Sequence, residues 1–227
     1  MGSPEIGYKL FYDQGLKLSE AYPGLSMQEN NSKPIFAGII GLYGEDGLKC
    51  DEYHISIHPT EEYPHRYPLV FETGGRIPKN IDWHVFESDG HLCIETLPEE
   101  LIACSESITL EWFIDAKVKP YLFNQTYRRL NGFFLNERKH GYSGEFETYV
   151  ELFGTRDLFK IGKYLHIISQ RKEPNRVSKC FCGGNDKYRK CHRDAYRKFS
   201  GLSDEQLKIL ISRVAKVYLQ QGNTFIS

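Results

Sequence analysis

Two groups of residues in this 227-residue chain have side chains suited to chemistry. The first is a single cysteine, Cys93, in the segment Asp89-Gly90-His91-Leu92-Cys93-Ile94-Glu95. A thiolate is both a nucleophile and a leaving group, so an accessible cysteine can take up an acyl group and pass it on. Because free cysteine is among the most buried residue types, a small core side chain is the competing interpretation. Cys104, in a segment expected to be a loop, is a weaker candidate.

The second group holds three thiols and one imidazole within thirteen residues, at Cys180, Cys182, Cys191 and His192. Four nitrogen or sulfur ligands are what a closed tetrahedral zinc site requires. The glycine pair after Cys182 allows a short loop to fold back around a metal. We therefore expect a structural Zn²⁺ site whose binding energy folds this segment. Unrelated cysteines on a basic surface are the alternative.

Hydrophobic periodicity places Cys93 after a small sheet. A first helix is expected over residues 5–22, followed by a polar loop over 28–33. Three strands are expected, over residues 35–43, 50–57 and 68–73. A long loop that contains His84 then leads to Cys93, and reactive side chains are often presented by loops that strands hold in place.

Helical spacing dominates the rest of the chain. Helices are expected from Ser107 to about Pro120, over 146–153, over 157–169 and from a capping box at Ser203 onward. A polar break over 124–144 separates the first of these from the second. A leading helix, an antiparallel meander and later helices together predict an α+β fold.

Composition and charge narrow the functional classes. Six cysteines without regular spacing do not form a disulfide framework, so thiol chemistry or metal binding in a reducing compartment, the cytoplasm, is favoured. No apolar run is long enough to cross a membrane. The net charge of −1 conceals a basic segment, residues 171–198, which carries +7 against −8 elsewhere. This segment suits phosphates or an acidic protein; without an aromatic ladder or a groove-reading helix, nucleic acid is not the expected partner.

Several short motifs, in order and approximate spacing, resemble the ubiquitin-conjugating enzyme family over about residues 5–125. They are His58-Pro59, Tyr63-Pro64, Pro68-x-Val70-Phe71-x-Thr73, Gly90-x-Leu92-Cys93-Ile94-Glu95 and Ser107-Ile108-Thr109-Leu110. The resemblance implies a four-stranded meander behind a helix, with Cys93 as the acceptor of a thioester-linked acyl group.

The family's His-Pro-Asn tripeptide is absent, and Trp83-His84-Val85 stands in its neighbourhood. The absence of the asparagine puts the transfer of the acyl group from Cys93 to an amine in doubt more than the loading of the acyl group onto Cys93. His84 is then a candidate catalytic residue, which donates a hydrogen bond to a developing oxyanion or helps to deprotonate the incoming amine. A buried, hydrogen-bonded histidine without a catalytic role is the alternative.

Residues 178–196 closely resemble the SEC-C zinc motif, Cys-x-Cys-Gly followed by a basic, aromatic stretch and Cys-His. Because it combines both motifs, the chain is similar to the ubiquitin-conjugating-enzyme-like proteins of bacterial type II CBASS antiphage operons. That similarity implies an acyltransferase in antiviral defence whose cargo is the C-terminus of a cGAS-like nucleotidyltransferase and whose acceptor carries a lysine. It divides the chain into a conjugating-like domain (1–145), a helical connector (146–175) and a SEC-C unit with a final helix (176–227).

Two functions from other classes stay open. Inactive relatives of the conjugating fold bind proteins without chemistry, so a non-catalytic binding module with a structural zinc tail is one alternative. A zinc-dependent nucleic-acid binder is the other. The sequence contains no glycine-rich phosphate loop for making an adenylate, so a conjugating enzyme of this kind needs a carboxyl activated elsewhere.

Overall fold

The computed structural model describes residues 4–30, 33–135 and 137–223. The chain forms two compact units, one of residues 1–95 with 106–138 and one of residues 96–105 with 139–227. The predicted α+β class is confirmed, with a four-stranded antiparallel sheet in the first unit. These units differ from the three predicted segments, because residues 96–105 and the expected connector share a hydrophobic core with the cysteine cluster.

The first unit is a sheet whose strands follow one another in sequence order. Its elements are helix α1 (Pro4–Leu18) and strands β1 (Leu25–Asn30), β2 (Lys33–Tyr43), β3 (Lys49–His58) and β4 (Leu69–Glu72). Alternate residues of β2 and β3 point inward, so Phe36, Ile40, Ile55 and Ile57 are buried together with Phe11 of α1. Alternate apolar residues in the sequence predict β3, whereas an apolar run that ends at a glycine turn predicts β2.

Strand β1 occupies part of the stretch predicted to be a polar loop, and that prediction is wrong for residues 28–30. Among the β1 residues whose side chains are described, only Leu25 is buried. An edge strand with one inward side chain shows no apolar alternation, which is why periodicity misses it. Asn31 and Ser32 lie outside the described residues.

The helix after the cysteine loop is longer than predicted. It consists of α3 (Leu110–Phe113), a π-helical turn (Ile114–Val118) and α4 (Lys119–Asn131). The predicted end at Pro120 or slightly beyond is too early, since Pro120 lies in the first turn of α4, which continues to Asn131. Buried side chains run through the π turn without interruption, at Phe113, Ile114, Val118 and Leu122, so α3, the turn and α4 share one buried face.

The second unit is helical. Its helices are α2 (Leu97–Ala103), α5 (Gly141–Phe153), α6 (Leu158–Ser169), α7 (Arg193–Ser200) and α8 (Asp204–Asn223). Its core includes Leu101, Leu165 and Phe199. The predicted capping box opens α8, because Gln206 N–H donates to Ser203 Oγ (3.1 Å) and Ser203 N–H donates to Gln206 Oε1 (2.9 Å). No helix in the described parts of the chain combines the length and apolar character needed to span a bilayer.

Candidate functional site

Cys93 lies where the long loop rejoins the sheet. Leu92 N–H donates to Val70 O of β4 (2.8 Å), and Cys93 N–H donates to His84 O (2.7 Å). Val85 and Leu92 form an isolated antiparallel bridge beside them. Backbone hydrogen bonds on two sides therefore fix the position of Cys93 relative to β4 and to the segment that carries His84.

The turn before Cys93 depends on Gly90, whose φ of 90° is a conformation that L side chains rarely adopt. Gly90 N–H donates to Phe86 O (2.8 Å), and Phe86 N–H donates to His91 O (2.9 Å). The rings of Phe86 and His91 stack with centroids 4.2 Å apart, and Asp89 Oδ1 accepts the backbone N–H of His91 at 3.2 Å. These contacts fix the backbone conformation of the turn that precedes Cys93.

His84 adopts a left-handed conformation, with φ 54° and ψ 42°, directly after a 3₁₀ turn that ends at Trp83. Such a conformation is uncommon for a residue with a β-carbon and often marks a functional position. Asn80 supports it by capping the turn, with its Oδ1 accepting Trp83 N–H at 3.1 Å. A ring nitrogen of His84 lies within 4.8 Å of Cys93 Sγ. The two predicted catalytic candidates thus lie in one site.

Helix α4 supplies two side chains to this site that sequence analysis does not single out. Tyr121 Oη lies 2.9 Å from His84 O and 3.2 Å from Trp83 O, and Gln125 Nε2 donates to Trp83 O at 2.8 Å. His84 O therefore accepts hydrogen bonds from both Cys93 N–H and Tyr121 O–H. Tyr121 fits the apolar stripe of the predicted helix, so the role of its hydroxyl gave no separate signal in the sequence.

Aromatic and cationic groups pack around His84. Its ring meets Phe134 edge to face, with centroids 4.8 Å apart. The Arg128 guanidinium lies over the rings of both Trp83 (4.2 Å) and Phe134 (4.5 Å) and donates to Asp82 O. These contacts restrict the orientation of the His84 imidazole.

The chain just after Cys93 is anchored to the π turn. Glu95, two residues on, accepts a hydrogen bond from Tyr67 Oη (2.7 Å) and forms an ion pair with Lys117 of that turn. Both partners of the ion pair are largely shielded, at 19% and 21% side-chain exposure, so water screens it less than a surface pair. The Cys93 segment is consequently held on both flanks.

The environment of Cys93 decides its protonation state. Burial raises the pKa of the Cys93 thiol to about 11. At about pH 7.5, roughly one thiol in three thousand is then ionised. Cys93 is nevertheless only partly buried, which distinguishes it from the core cysteine of the competing interpretation. The residue is partly exposed to solvent, and its thiol needs to lose a proton before it can attack.

Cys104 is not where the sequence predicts it. It follows α2 directly and is only 1% exposed, whereas an accessible loop was expected. The helix forms because Pro98 occupies its first turn and Thr96 N–H donates to Glu99 Oε2 (3.2 Å), as in a capping box. Cys104 is therefore a buried residue and no longer a candidate nucleophile.

The four predicted metal ligands converge, and their donor atoms all lie within 4.8 Å of one another. Cys182 Sγ lies 3.7 Å from Cys191 Sγ, and His192 Nδ1 lies 3.3 Å from Cys180 Sγ and 2.9 Å from Cys191 Sγ. Sulfurs at about 2.3 Å from a tetrahedral zinc are about 3.8 Å apart. The spacing of these donors fits a tetrahedral metal site.

His192 is also oriented for ligation. Its Nε2 lies 2.9 Å from the carbonyl oxygen of Phe153, which fixes that nitrogen as the N–H donor and leaves Nδ1 to face the thiols. Burial raises the pKa of Cys182, but hydrogen bonds from Gly184 N–H and neighbouring thiols outweigh it and bring the pKa below its ordinary value. Burial and the adjacent thiols raise the pKa of Cys191 to about 12.

The predicted site residues form two groups, one in each unit. They are His84 with Cys93, and Cys180, Cys182 and Cys191 with His192. No protein-family model matches the chain, and no curated protein matches it significantly. The chemistry of these two groups therefore carries the functional interpretation.

Proposed function

We propose that this chain is a cysteine-dependent acyltransferase with a ubiquitin-conjugating-like fold. Cys93 accepts the C-terminal carboxyl of a partner protein as a thioester and passes it to an amine. The observation that carries this proposal is the His84 ring nitrogen within 4.8 Å of Cys93 Sγ. The leading helix and the four-stranded meander support the choice of fold.

The loading step exchanges one thioester for another. The Cys93 thiolate attacks the carbonyl carbon of an acyl group held as a thioester on a separate activating enzyme, and the sulfur of that enzyme leaves as a thiolate. In the transfer step, an amine attacks the new thioester, the carbon–sulfur bond breaks, and the amine proton goes to the departing thiolate. Thiol chemistry suits both steps, and neither changes an oxidation state.

The thiol of Cys93 needs a proton acceptor, and we assign that role to His84. A thiol with a pKa of about 11 remains protonated at neutral pH, so loading needs a nearby group to accept its proton. The imidazole of His84 supplies that acceptor. The His84 ring nitrogen and Cys93 Sγ lie within 4.8 Å in the resting protein, and catalytic contacts of this kind often shorten when substrate binds.

From the resemblance to the CBASS proteins, we propose a cargo, an acceptor and a biological process for the reaction at Cys93. The cargo is the C-terminus of a cGAS-like nucleotidyltransferase, the acceptor is a lysine-bearing protein, and the process is antiphage defence. A reducing cytoplasm would keep Cys93 and the cluster thiols available.

We assign Zn²⁺ to the cluster as a structural cofactor, held by Cys180, Cys182, Cys191 and His192. Bound zinc would supply folding energy and no step of the acyl transfer. The ligands leave no position for substrate, since four protein donors complete a tetrahedral shell.

The test is the state of Cys93 after expression with the proteins encoded beside it. We expect a thiol-sensitive adduct whose mass equals that of the cargo minus water. Cys93→Ala should abolish it, and Cys93→Ser should convert it to a thiol-resistant ester. Cys50→Ala, which removes an exposed cysteine of the same unit, is the control and should leave the adduct intact. An adduct that persists in both Cys93 variants would exclude the mechanism.

A second candidate is a non-catalytic binding module with the same fold and zinc tail. The raised pKa of Cys93 favours it, because a protonated thiol is unreactive. It predicts that the partner binds Cys93→Ala and wild-type protein equally and that no covalent adduct forms. The same co-expression experiment separates the two functions.

A further inference from the structure

The proposed acyl transfer leaves a strongly basic surface of the second unit without a role. Five cations, Arg176, Lys179, Lys187, Arg189 and Lys190, lie on the hairpin between residues 176 and 190 and are exposed. Within the described parts of the chain, none of the five has a carboxylate partner. We name this set the basic hairpin. By contrast, Arg171 and Arg197 outside it form ion pairs with carboxylates.

The basic hairpin places like charges opposite one another. Lys179 and Lys187 are direct partners in an antiparallel bridge. The hydrogen bonds from Tyr188 N–H to Ser178 O (2.9 Å) and from Cys180 N–H to Asp186 O (3.1 Å) lie on either side of this pair. That pattern defines the closer type of cross-strand pair, in which Cα atoms are about 4.5 Å apart.

Arg176 and Arg189 are also joined through the backbone, since Arg189 N–H donates to Arg176 O at 3.1 Å. Directly opposed like charges, as at Lys179 and Lys187, destabilise a hairpin. A polyanion bound across that pair would offset the repulsion.

The backbone beneath these cations is fixed. Tyr188, between Lys187 and Arg189, is fully buried, Cys180 of the ligand cluster lies within the hairpin, and Cys191 follows its last residue. The cations therefore project from a defined frame, which lowers the entropic cost of binding a regular array of charges.

We propose that the basic hairpin binds the phosphate backbone of duplex nucleic acid without reading its sequence. Protein interfaces are depleted in lysine and centre on aromatic or apolar anchors. The basic hairpin offers mainly lysine and arginine, and Val177 is its one largely exposed apolar residue among those described. A surface built almost entirely of charge instead matches backbone binding, whose affinity is electrostatic.

The aromatic residues of the basic hairpin indicate whether it binds double-stranded or single-stranded nucleic acid. Tyr188 is buried, and Phe181 packs against it, so neither presents an open ring on which bases of a single strand could stack. A duplex carries more charge per unit length than a single strand, and phosphate contact alone therefore favours the duplex.

The test is fluorescence anisotropy of the full chain with a DNA duplex of about 20 base pairs and random sequence, between about 50 and 200 mM salt. Five phosphate contacts predict a slope of log affinity against log salt of about −4.5. Lys179→Gln with Lys187→Gln should reduce the slope to about −2.7 and weaken binding about tenfold for each cation removed. Lys208→Gln with Lys216→Gln, exposed lysines of α8, is the matched control and should bind as wild type.

Circular dichroism and metal content check that the hairpin variant is folded. Absence of binding at about 50 mM salt, or unchanged binding by the hairpin variant, would overturn the proposal. Equal competition by polyglutamate at equal charge would instead identify an acidic protein as the partner and also overturn it. Because Cys93→Ala retains the hairpin, it should bind DNA as wild type does, whether or not acyl transfer occurs.

Discussion

Tyr121 and Cys93 share one acceptor, because the carbonyl oxygen of His84 lies 2.9 Å from Tyr121 Oη and 2.7 Å from the amide nitrogen of Cys93. The shared oxygen couples α4 to the cysteine loop through a residue in the left-handed conformation. Positioning of the candidate nucleophile thus involves a side chain of α4 that is remote from it in sequence.

Tyr121→Phe tests this coupling, because it removes the hydroxyl and keeps the ring. We expect a loss of about 1 kcal/mol in the free energy of unfolding, the usual value of one hydrogen bond. Loading of Cys93 should slow by more than this loss explains, with little change in the concentration of activated cargo that gives half-maximal rate. Single-turnover loading measures both quantities.

Tyr127→Phe is the matched control, since Tyr127 lies on the same helix and its hydroxyl has no hydrogen-bond partner among the described residues. It should load at the wild-type rate. Equal slowing in the two variants would mean that the hydroxyl of Tyr121 has no positioning role.

His84 variants separate its two candidate roles. His84→Gly removes the imidazole and accommodates φ 54° without strain, and His84→Asn tolerates the same conformation while offering an N–H donor. If His84 accepts the proton of Cys93, both variants should lose about 10²- to 10⁴-fold in the rate of loading. Retention of that rate by His84→Asn alone would assign the oxyanion role instead.

The sequence predicts the elements whose signals are local. The four ligands of the metal cluster lie within thirteen residues, β3 alternates at Tyr53, Ile55 and Ile57, and β2 is a continuous apolar run that ends at a turn, so local pattern alone identifies them. The hydrogen bond between Tyr121 and His84 joins residues 37 positions apart, so no local pattern in the sequence signals it. The conjugating-like function stays a prediction, because it rests on a resemblance that the fold alone does not test.

The pKa of Cys93 predicts how pH affects its reactivity and the stability of the protein. Folding raises this pKa from an ordinary 9.0 to about 11, so the folded state favours the protonated thiol. The resulting stabilisation is fully present below pH 9.0 and is lost as pH rises towards about 11. Alkylation of Cys93 should accelerate about tenfold per pH unit over this range, as the thiolate fraction grows.

Cys93→Ala isolates the effect on stability from other groups that titrate at high pH. Its free energy of unfolding in urea should fall less than that of wild type between pH 9.0 and about 11. Parallel curves for the two proteins, or an alkylation rate that levels off near pH 9.0, would show that the thiol is not desolvated.

Metal removal tests the cluster. The protein should contain about one zinc per chain, and chelation should lower its melting temperature, since the cluster ties Cys180 and Cys191 to α5 through the bond from His192 to Phe153 O. Cys182→Ser should lose the metal. Cys50→Ser changes a cysteine of the first unit outside the cluster and should retain it.

Elemental analysis measures the metal content, and differential scanning calorimetry measures the melting temperature. The geometry of the site predicts which of the two units should unfold at a lower temperature when the metal is lost. Cys180, His192 and Phe153 belong to one hydrophobic unit that also contains Tyr188 and Phe199, so loss of the metal should destabilise that unit. The first unit contributes no ligand to the cluster, and loading of Cys93 should survive Cys182→Ser under conditions where the first unit is folded. A zinc-free wild-type protein with an unchanged melting profile would remove the structural role of the metal, because four converging donors would then be stable through packing alone.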